Sequence, residues 1–132
     1  MLKLFDNDWM DKYKEEWNKD PYLARKLKEI EFSSTIGYGI PGEKSPRGCI
    51  VVENGYVVEA GNYTGQALNW DLRAKESHWN EWIKREVGST GLALAYTTGK
   101  LKFIEGDYKS MIKNPEMSTP FIKSFSAMSR VN

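Results

Sequence analysis

The segment GCIVVENGYVVEAG, residues 48–61, leaves this chain few options. Asn54-Gly55 can adopt the left-handed dihedrals of a two-residue hairpin turn, and β-branched residues flank it on both sides. With that turn Val52 faces Val57 and Val51 faces Val58. Both faces of the ribbon are then apolar near the turn, so the hairpin is expected to be well covered by the rest of the chain.

The flanking segments carry their own periods. Trp9, Tyr13 and Trp17 recur at a spacing of four, which marks a helix capped by Asp8. Asp20-Pro21 starts a second, short helix with the stripe Leu23, Leu27 and Ile30. The period then changes to two. Phe32, Ser34, Ile36, Tyr38 and Ile40 share one face of a strand, opposite Ser33, Thr35, Gly37 and Gly39. After the hairpin, Gly65 to Ala74 alternates again, with Leu68, Trp70 and Leu72 facing one way and Asn69, Asp71 and Arg73 the other. Ser77 caps a helix carrying Trp79, Trp82, Ile83 and Val87. A short helix around Leu92 to Tyr96, a strand from Lys100 to Gly106 and a short helix from Tyr108 to Lys113 follow. Thr119-Pro120 starts a last helix with Phe121, Phe125 and Met128 on one side. Five strands joined mostly by short turns imply an α+β fold: a five-stranded antiparallel sheet covered on one face by helices. The 132 residues suit a single domain, 1–132.

Composition removes several functions. The net charge of +1 offers no basic excess for a phosphate backbone, so no nucleic-acid partner is expected. One cysteine and one histidine exclude an internal disulfide and the usual zinc sets, and no metal or cofactor is expected. Nothing brings Cys49 and His78 together as a nucleophile and base. YTTGKLK (96–102) lacks the first glycine and the Ser/Thr of a phosphate-binding loop. The carboxylates Glu15, Glu16, Asp71, Glu105 and Asp107 read as solvated faces, turns and caps. No catalytic residue is therefore assigned. No stretch approaches the ~20 apolar residues of a membrane span, and no secretory signal opens the chain, so a cytoplasmic location is expected. What remains is apolar. Aromatic residues make up 13% of the chain, and its last third interleaves Met and Phe with small residues, which suits an adaptable wall.

The segment Ala93–Lys113, ALAYTTGKLKFIEGDYKSMIK, resembles the late part of the sterol carrier protein type-two family. There a helix leads into a Gly-Lys-Leu strand, then Gly-Asp, then an apolar helix; here these are Gly99, Lys100 and Leu101, then Gly106-Asp107, then Met111 and Ile112. The order of elements upstream is also similar. The resemblance implies an apolar tunnel between sheet and helices that takes sterols, fatty acids or fatty acyl-CoA. The chain looks like a bacterial or archaeal stand-alone member, without the peroxisomal tail of the eukaryotic carriers. Carried over, the ligand-binding wall is Leu68, Trp70 and Leu72 from the sheet, faced by Leu92, Tyr96, Phe103, Met111, Phe121, Phe125 and Met128. Lys100, Lys102 or Lys109 would meet an anionic head group at the mouth.

The leading function is thus a carrier or accessory protein that binds a hydrophobic small molecule in a cavity of ~300 Å³ or more. A second is an enzyme or accessory subunit acting on a hydrophobic or CoA-linked substrate, which needs Tyr38, Asn69 or Asp71 beside Tyr96 inside that cavity. A third is a homo-oligomeric interaction module, a homodimer for instance, with Trp9, Trp17 and Trp79 forming a surface patch.

Overall fold

A computed structural model describes residues 2–131. The hairpin forms as expected: β2 (Gly48–Glu53) and β3 (Tyr56–Asn62) run antiparallel, with positive φ at Asn54 and Gly55. Val52 faces Val57, but a bulge between Val51 and Val52 sets Val51 opposite Glu59 instead of Val58. The extra residue of a bulge breaks strict pairing, and Val58 is left exposed. The tip is covered. A Cβ at Gly55 would stand 2.4 Å from the Ala24 carbonyl oxygen and from the Lys28 backbone nitrogen. Trp17 Nε1 donates to the Gly55 carbonyl at 3.0 Å, and the Gly55 amide donates to the Phe32 carbonyl at 2.8 Å.

Around it the sheet takes the order β3-β2-β1-β4-β5, with β1 at Ser34–Gly39, β4 at Trp70–Arg73 and β5 at Lys102–Glu105. The sheet is mixed, not wholly antiparallel, because β4 pairs with β1 in parallel. Helix α1 (Asn7–Lys19) accounts for this. It lies along the outer edge of β3, where Asn18 bonds both the amide and the carbonyl of Val57 and Asn7 accepts from the Asn62 amide. That edge is closed to a further strand. The chain leaves β3 and crosses the sheet in residues 63–69, enough to span about 23 Å. It joins the free side of β1, where Asn69 exchanges hydrogen bonds with Thr35.

The remaining helices are a π-helical turn (Pro21–Arg25) running into α2 (Lys26–Glu29), then α3 (Glu76–Arg85), α4 (Ser89–Thr97), α5 (Tyr108–Ile112) and α6 (Pro115–Ser129). Several ends differ from the expected ones. Helix α1 is preceded by Asp6, not Asp8, and α3 by Lys75, not Ser77. Helix α6 starts at Pro115, capped by Asn114, and carries Pro120 in its interior. Two Asx/Ser/Thr-Pro signals lie five residues apart, and the earlier one wins because Asn114 also accepts the Glu116 amide.

One face of the sheet meets the helices through an aromatic core. Phe5 sits edge-on to Trp9 at 5.2 Å and to Trp79 at 5.1 Å, and Phe125 stacks on Trp79 at 6.0 Å. Trp9, Trp17 and Trp79 are all buried, so the expected tryptophan surface patch does not exist. The other face is held by a trough over Gly37 and Gly39, filled by Pro46, Leu68 and the Arg73 side chain.

Candidate functional site

Alternation along β1 and β4 decides what faces the helices. The parallel register pairs Ile36 with Trp70 and Tyr38 with Leu72, so these four side chains share the helix-covered face. Gly37 pairs with Asp71 and Gly39 with Arg73 on the opposite face. There Arg73 Nη2 meets Asp71 Oδ2 at 3.0 Å, and Nη1 reaches the Glu43 carbonyl at 2.8 Å. Both partners of this ion pair are buried.

Between the first face and the helices lies a cleft. Ile36, Tyr38, Trp70 and Leu72 form the sheet wall; Met111 from α5, with Met117, Pro120, Phe121 and Ser124 from α6, stand opposite. Trp17, Leu27 and Phe32 close the side next to the hairpin tip. Phe32, Trp70, Met117 and Phe121 are half-buried and mark its mouth. The lining is almost wholly carbon, and no charged side chain contributes to it. Gly106 lies against Trp70 of this wall: its φ is +103°, and a Cβ there would fall 2.1 Å from Trp70 Cε3. The Gly-Asp of the sequence motif thus positions Trp70, while Asp107 caps α5 through Ser110.

The free space inside is about 50 Å³. That is room for roughly four water-sized bodies and well short of the ~300 Å³ expected of a ligand pocket. Met and Phe side chains fill what a larger cavity would leave empty.

Of the residues expected in the wall, the structure brings Trp70, Leu72, Met111 and Phe121 together at the cleft. Phe103 stands one row back, edge-on to Trp70 at 5.9 Å and 6.0 Å from Phe121. Tyr96 stacks on Tyr108 at 4.0 Å behind Phe103. Leu92, Phe125 and Met128 are buried in the aromatic core and do not reach the cleft. Leu68 lies on the wrong side of the sheet: its Cδ2 rests 3.2 Å from where a Gly37 Cβ would be. It belongs to the crossover, so the alternation of β4 does not extend back to it. Lys100, Lys102 and Lys109 are exposed and none lines the cleft. Trp17, Leu27, Phe32, Ile36, Met117, Pro120 and Ser124 complete the lining beyond the expected wall, and Tyr38, named for the enzyme reading, lines it too. The β1 alternation already put Phe32, Ile36 and Tyr38 on one face; only the β1–β4 register shows that Trp70 shares it.

One polar group lies at the inner end. Tyr13 Oη and Tyr38 Oη are 3.2 Å apart and buried, and either hydroxyl can be the donor. Burial pushes both phenols well above their ordinary range, so they stay neutral. Other chemistry is scattered. Burial raises the Cys49 thiol to about 11, and Cys49 lies on β2 away from the cleft. His78 Nδ1 is buried without a hydrogen-bond partner, on α3. Asn69 bonds Thr35 and Asp71 bonds Arg73, so of the polar groups named for an enzyme reading Tyr38 lines the cleft and these two do not. Among the described residues no three His, Cys, Asp or Glu side chains could hold a metal ion, and no helix is long and apolar enough to cross a membrane.

No family model and no curated protein matches the sequence. Solved structures match the fold. A crystal structure of sterol carrier protein 2 superposes with a TM-score of 0.75 over 98% of this chain and 100% of that one, at 14% identity. The fold is that of sterol carrier protein 2. A conserved hypothetical protein from Thermus thermophilus, described as possibly a sterol carrier protein, matches with a TM-score of 0.66 at 15% identity, over 99% of this chain and 91% of that one. A ubiquinone synthesis protein, UbiJ-SCP2, matches with a TM-score of 0.58 at 12% identity, over 90% and 86%. The sterol carrier protein 2 architecture therefore extends from α1 to α6, and the resemblance carried by Gly99–Asp107 coincides with its fold.

Proposed function

We propose that this chain is a single-domain, cytoplasmic carrier or accessory protein, without catalysis of its own, that binds a hydrophobic or amphipathic small molecule between Trp70 and Phe121. Lipids, fatty acids, acyl-CoA and sterol-like molecules are the candidate class. The observation that carries this is the carbon-lined cleft at the joint between sheet and helices, in a chain with the sterol carrier protein 2 fold.

At about 50 Å³ the cleft is too small for such a molecule without a change of shape. A ligand enters by moving α5 and the first turn of α6 off the sheet. That wall suits the motion. Met111 and Met117 are flexible and adapt to a new shape. Pro120 lacks an amide for the bond to Glu116, which weakens α6 at the cleft. Opening then trades contacts of Phe121 and Met117 with the sheet for contacts with the ligand. The test is thermal unfolding of delipidated protein with dodecanoic acid, decanoyl-CoA and decan-1-ol, with native mass spectrometry for a retained molecule. A binder raises the midpoint as ligand rises past its Kd. No shift with any of the three, and no retained mass, would overturn the proposal.

A further inference from the structure

The inner end of the cleft rests on a segment that is weakly tied to the rest of the chain. Tyr38 lines the cleft at that end, and three rings back it: Phe5 at 5.7 Å, Tyr13 at 5.7 Å and Trp79 at 6.2 Å. They are not equally fixed. Tyr13 is carried by the 13-residue α1. Trp79 is carried by α3, and its Nε1 donates to the Gly39 carbonyl at 2.9 Å. Phe5 belongs to residues 2–6, which precede α1. Among the described residues, one backbone hydrogen bond involves residues 2–5, from the Asp6 amide to the Lys3 carbonyl at 3.1 Å, and it is internal to the segment. Side chains hold the segment instead. The Phe5 ring is fully buried, and Leu2 and Leu4 are half-buried against the core.

Its docked path is built in. Gly48 pairs with Tyr38, and a Cβ at Gly48 would stand 2.9 Å from the Phe5 carbonyl oxygen, so β2 leaves room for the segment to pass. The path is also strained. Phe5 has φ +64°, a left-handed conformation that a bulky side chain rarely adopts. Of the four non-glycine residues with positive φ among those described, Phe5 alone is buried; the others lie in exposed turns. Burial of the ring favours docking, while the strain and the ordering of residues 2–5 oppose it. These opposing terms make the segment the part of the inner wall that detaches most readily.

We propose that residues 2–6 are a strap whose Phe5 ring sets how long a chain the cleft accepts. A chain that ends at Tyr38 leaves the strap closed; a longer one turns Tyr38 into the place of Phe5 and opens it. This rests on the proposed function, since it concerns what that cleft takes. From the Ile36–Trp70 row to the Tyr38–Leu72 row the sheet wall runs two residues, about 7 Å. Decan-1-ol therefore serves as the chain that stops at Tyr38, and hexadecan-1-ol as the chain that overruns it.

Trypsin reads the strap. Cleavage after Lys3 requires the residues on both sides to extend into the protease, and Phe5 is buried while the strap is closed, so the rate reports the open population. Each alcohol is added from cyclodextrin, its binding is verified by native mass spectrometry, and the rate is normalised to a free peptide of the sequence Leu2–Asn7. Hexadecan-1-ol at about ten times its Kd should raise cleavage about tenfold, because a ligand held by the open state alone raises that population in proportion to ligand over Kd. Decan-1-ol, bound, should leave the rate unchanged. Phe5→Ala, checked for folding by circular dichroism, should be cut rapidly without ligand, and Phe5→Leu, which keeps an apolar anchor, should lie between it and the wild type. Hexadecan-1-ol bound to wild-type protein with cleavage unchanged would overturn the inference without any variant. So would equal acceleration by the two alcohols. Failure of both to bind would instead overturn the proposed function beneath it.

Discussion

Replacing Gly106 by alanine should damage the cleft through one contact, and a matched glycine isolates it. Gly106 has φ +103° and Gly65 has φ +101°, so an added Cβ meets nearly the same backbone strain at both, of about 1–3 kcal/mol. Nothing lies within 4 Å of the Gly65 position. At Gly106 the new atom would fall 2.1 Å from Trp70 Cε3, 2.7 Å from Cζ3 and 2.8 Å from Cδ2. The indole must retreat by about 1.4 Å to reach ordinary contact near 3.5 Å. Trp70 lines the cleft, so its shift changes the wall. Overpacking of this kind costs about 1–3 kcal/mol, so Gly106→Ala should lose about 2 kcal/mol more than Gly65→Ala. Urea unfolding measures it. With a slope near 2 kcal/mol per molar, the Gly106→Ala midpoint should lie about 1 M below that of Gly65→Ala. Ligand binding should weaken in Gly106→Ala alone. Equal midpoints for the two variants would refute the reasoning, because they would show that Trp70 does not bear on Gly106.

Three further outcomes follow from other contacts. Gly55 and Gly42 both have φ +88°, but only Gly55 faces backbone at 2.4 Å; Gly55→Ala should lose about 1–3 kcal/mol more than Gly42→Ala in the same urea assay. Asp71→Asn leaves the buried Arg73 guanidinium without its counter-charge, and thermal or urea unfolding should show a loss of about 3–5 kcal/mol. Glu16 is a pH-sensitive contact: burial opposes its charge, but Lys19, Arg130 and Lys12 outweigh burial and hold its carboxyl below the usual range. Its stabilisation is complete above the ordinary carboxylate pKa and is lost as pH falls through the lower folded value. Arg130→Ala should therefore flatten the stability–pH profile between about pH 5 and 3, while an unchanged slope would remove Glu16 from the acid response.

Much of the fold lay open in the pattern of the chain. Asn54-Gly55 between valines could only be a hairpin tip, and Trp9, Tyr13 and Trp17 could only be one helix face. The mixed sheet was not legible, because nothing local tells that Asn7, Lys14 and Asn18 will occupy the β3 edge and send the chain across to β1. The same crossover explains Leu68. Residues 65–69 alternate in sequence but are not strand, so the period of two carries no facing there. Thr119-Pro120 imitates a start signal because proline suits a first turn, while Asn114-Pro115 offers the same chemistry five residues earlier. The cleft itself was half visible. Trp70, Leu72, Met111 and Phe121 follow from the alternation and the family-like motif, and Phe32 shares the face of Ile36, but Trp17 and Leu27 reach the cleft through the docking of the hairpin tip under α2, a contact made between backbones.

The methionines offer the most direct test that the space between Trp70 and Phe121 is where a ligand goes. Met111 and Met117 line the cleft, whereas Met10 and Met128 are buried elsewhere in the core and serve as internal controls. Methyl NMR spectra of protein labelled at methionine, recorded while decan-1-ol is added, should show Met111 and Met117 shifting together and saturating, with Met10 and Met128 nearly still. Saturating shifts at Met10 or Met128 with Met111 and Met117 unmoved would contradict the account, as would four methyl signals that never respond to any apolar probe.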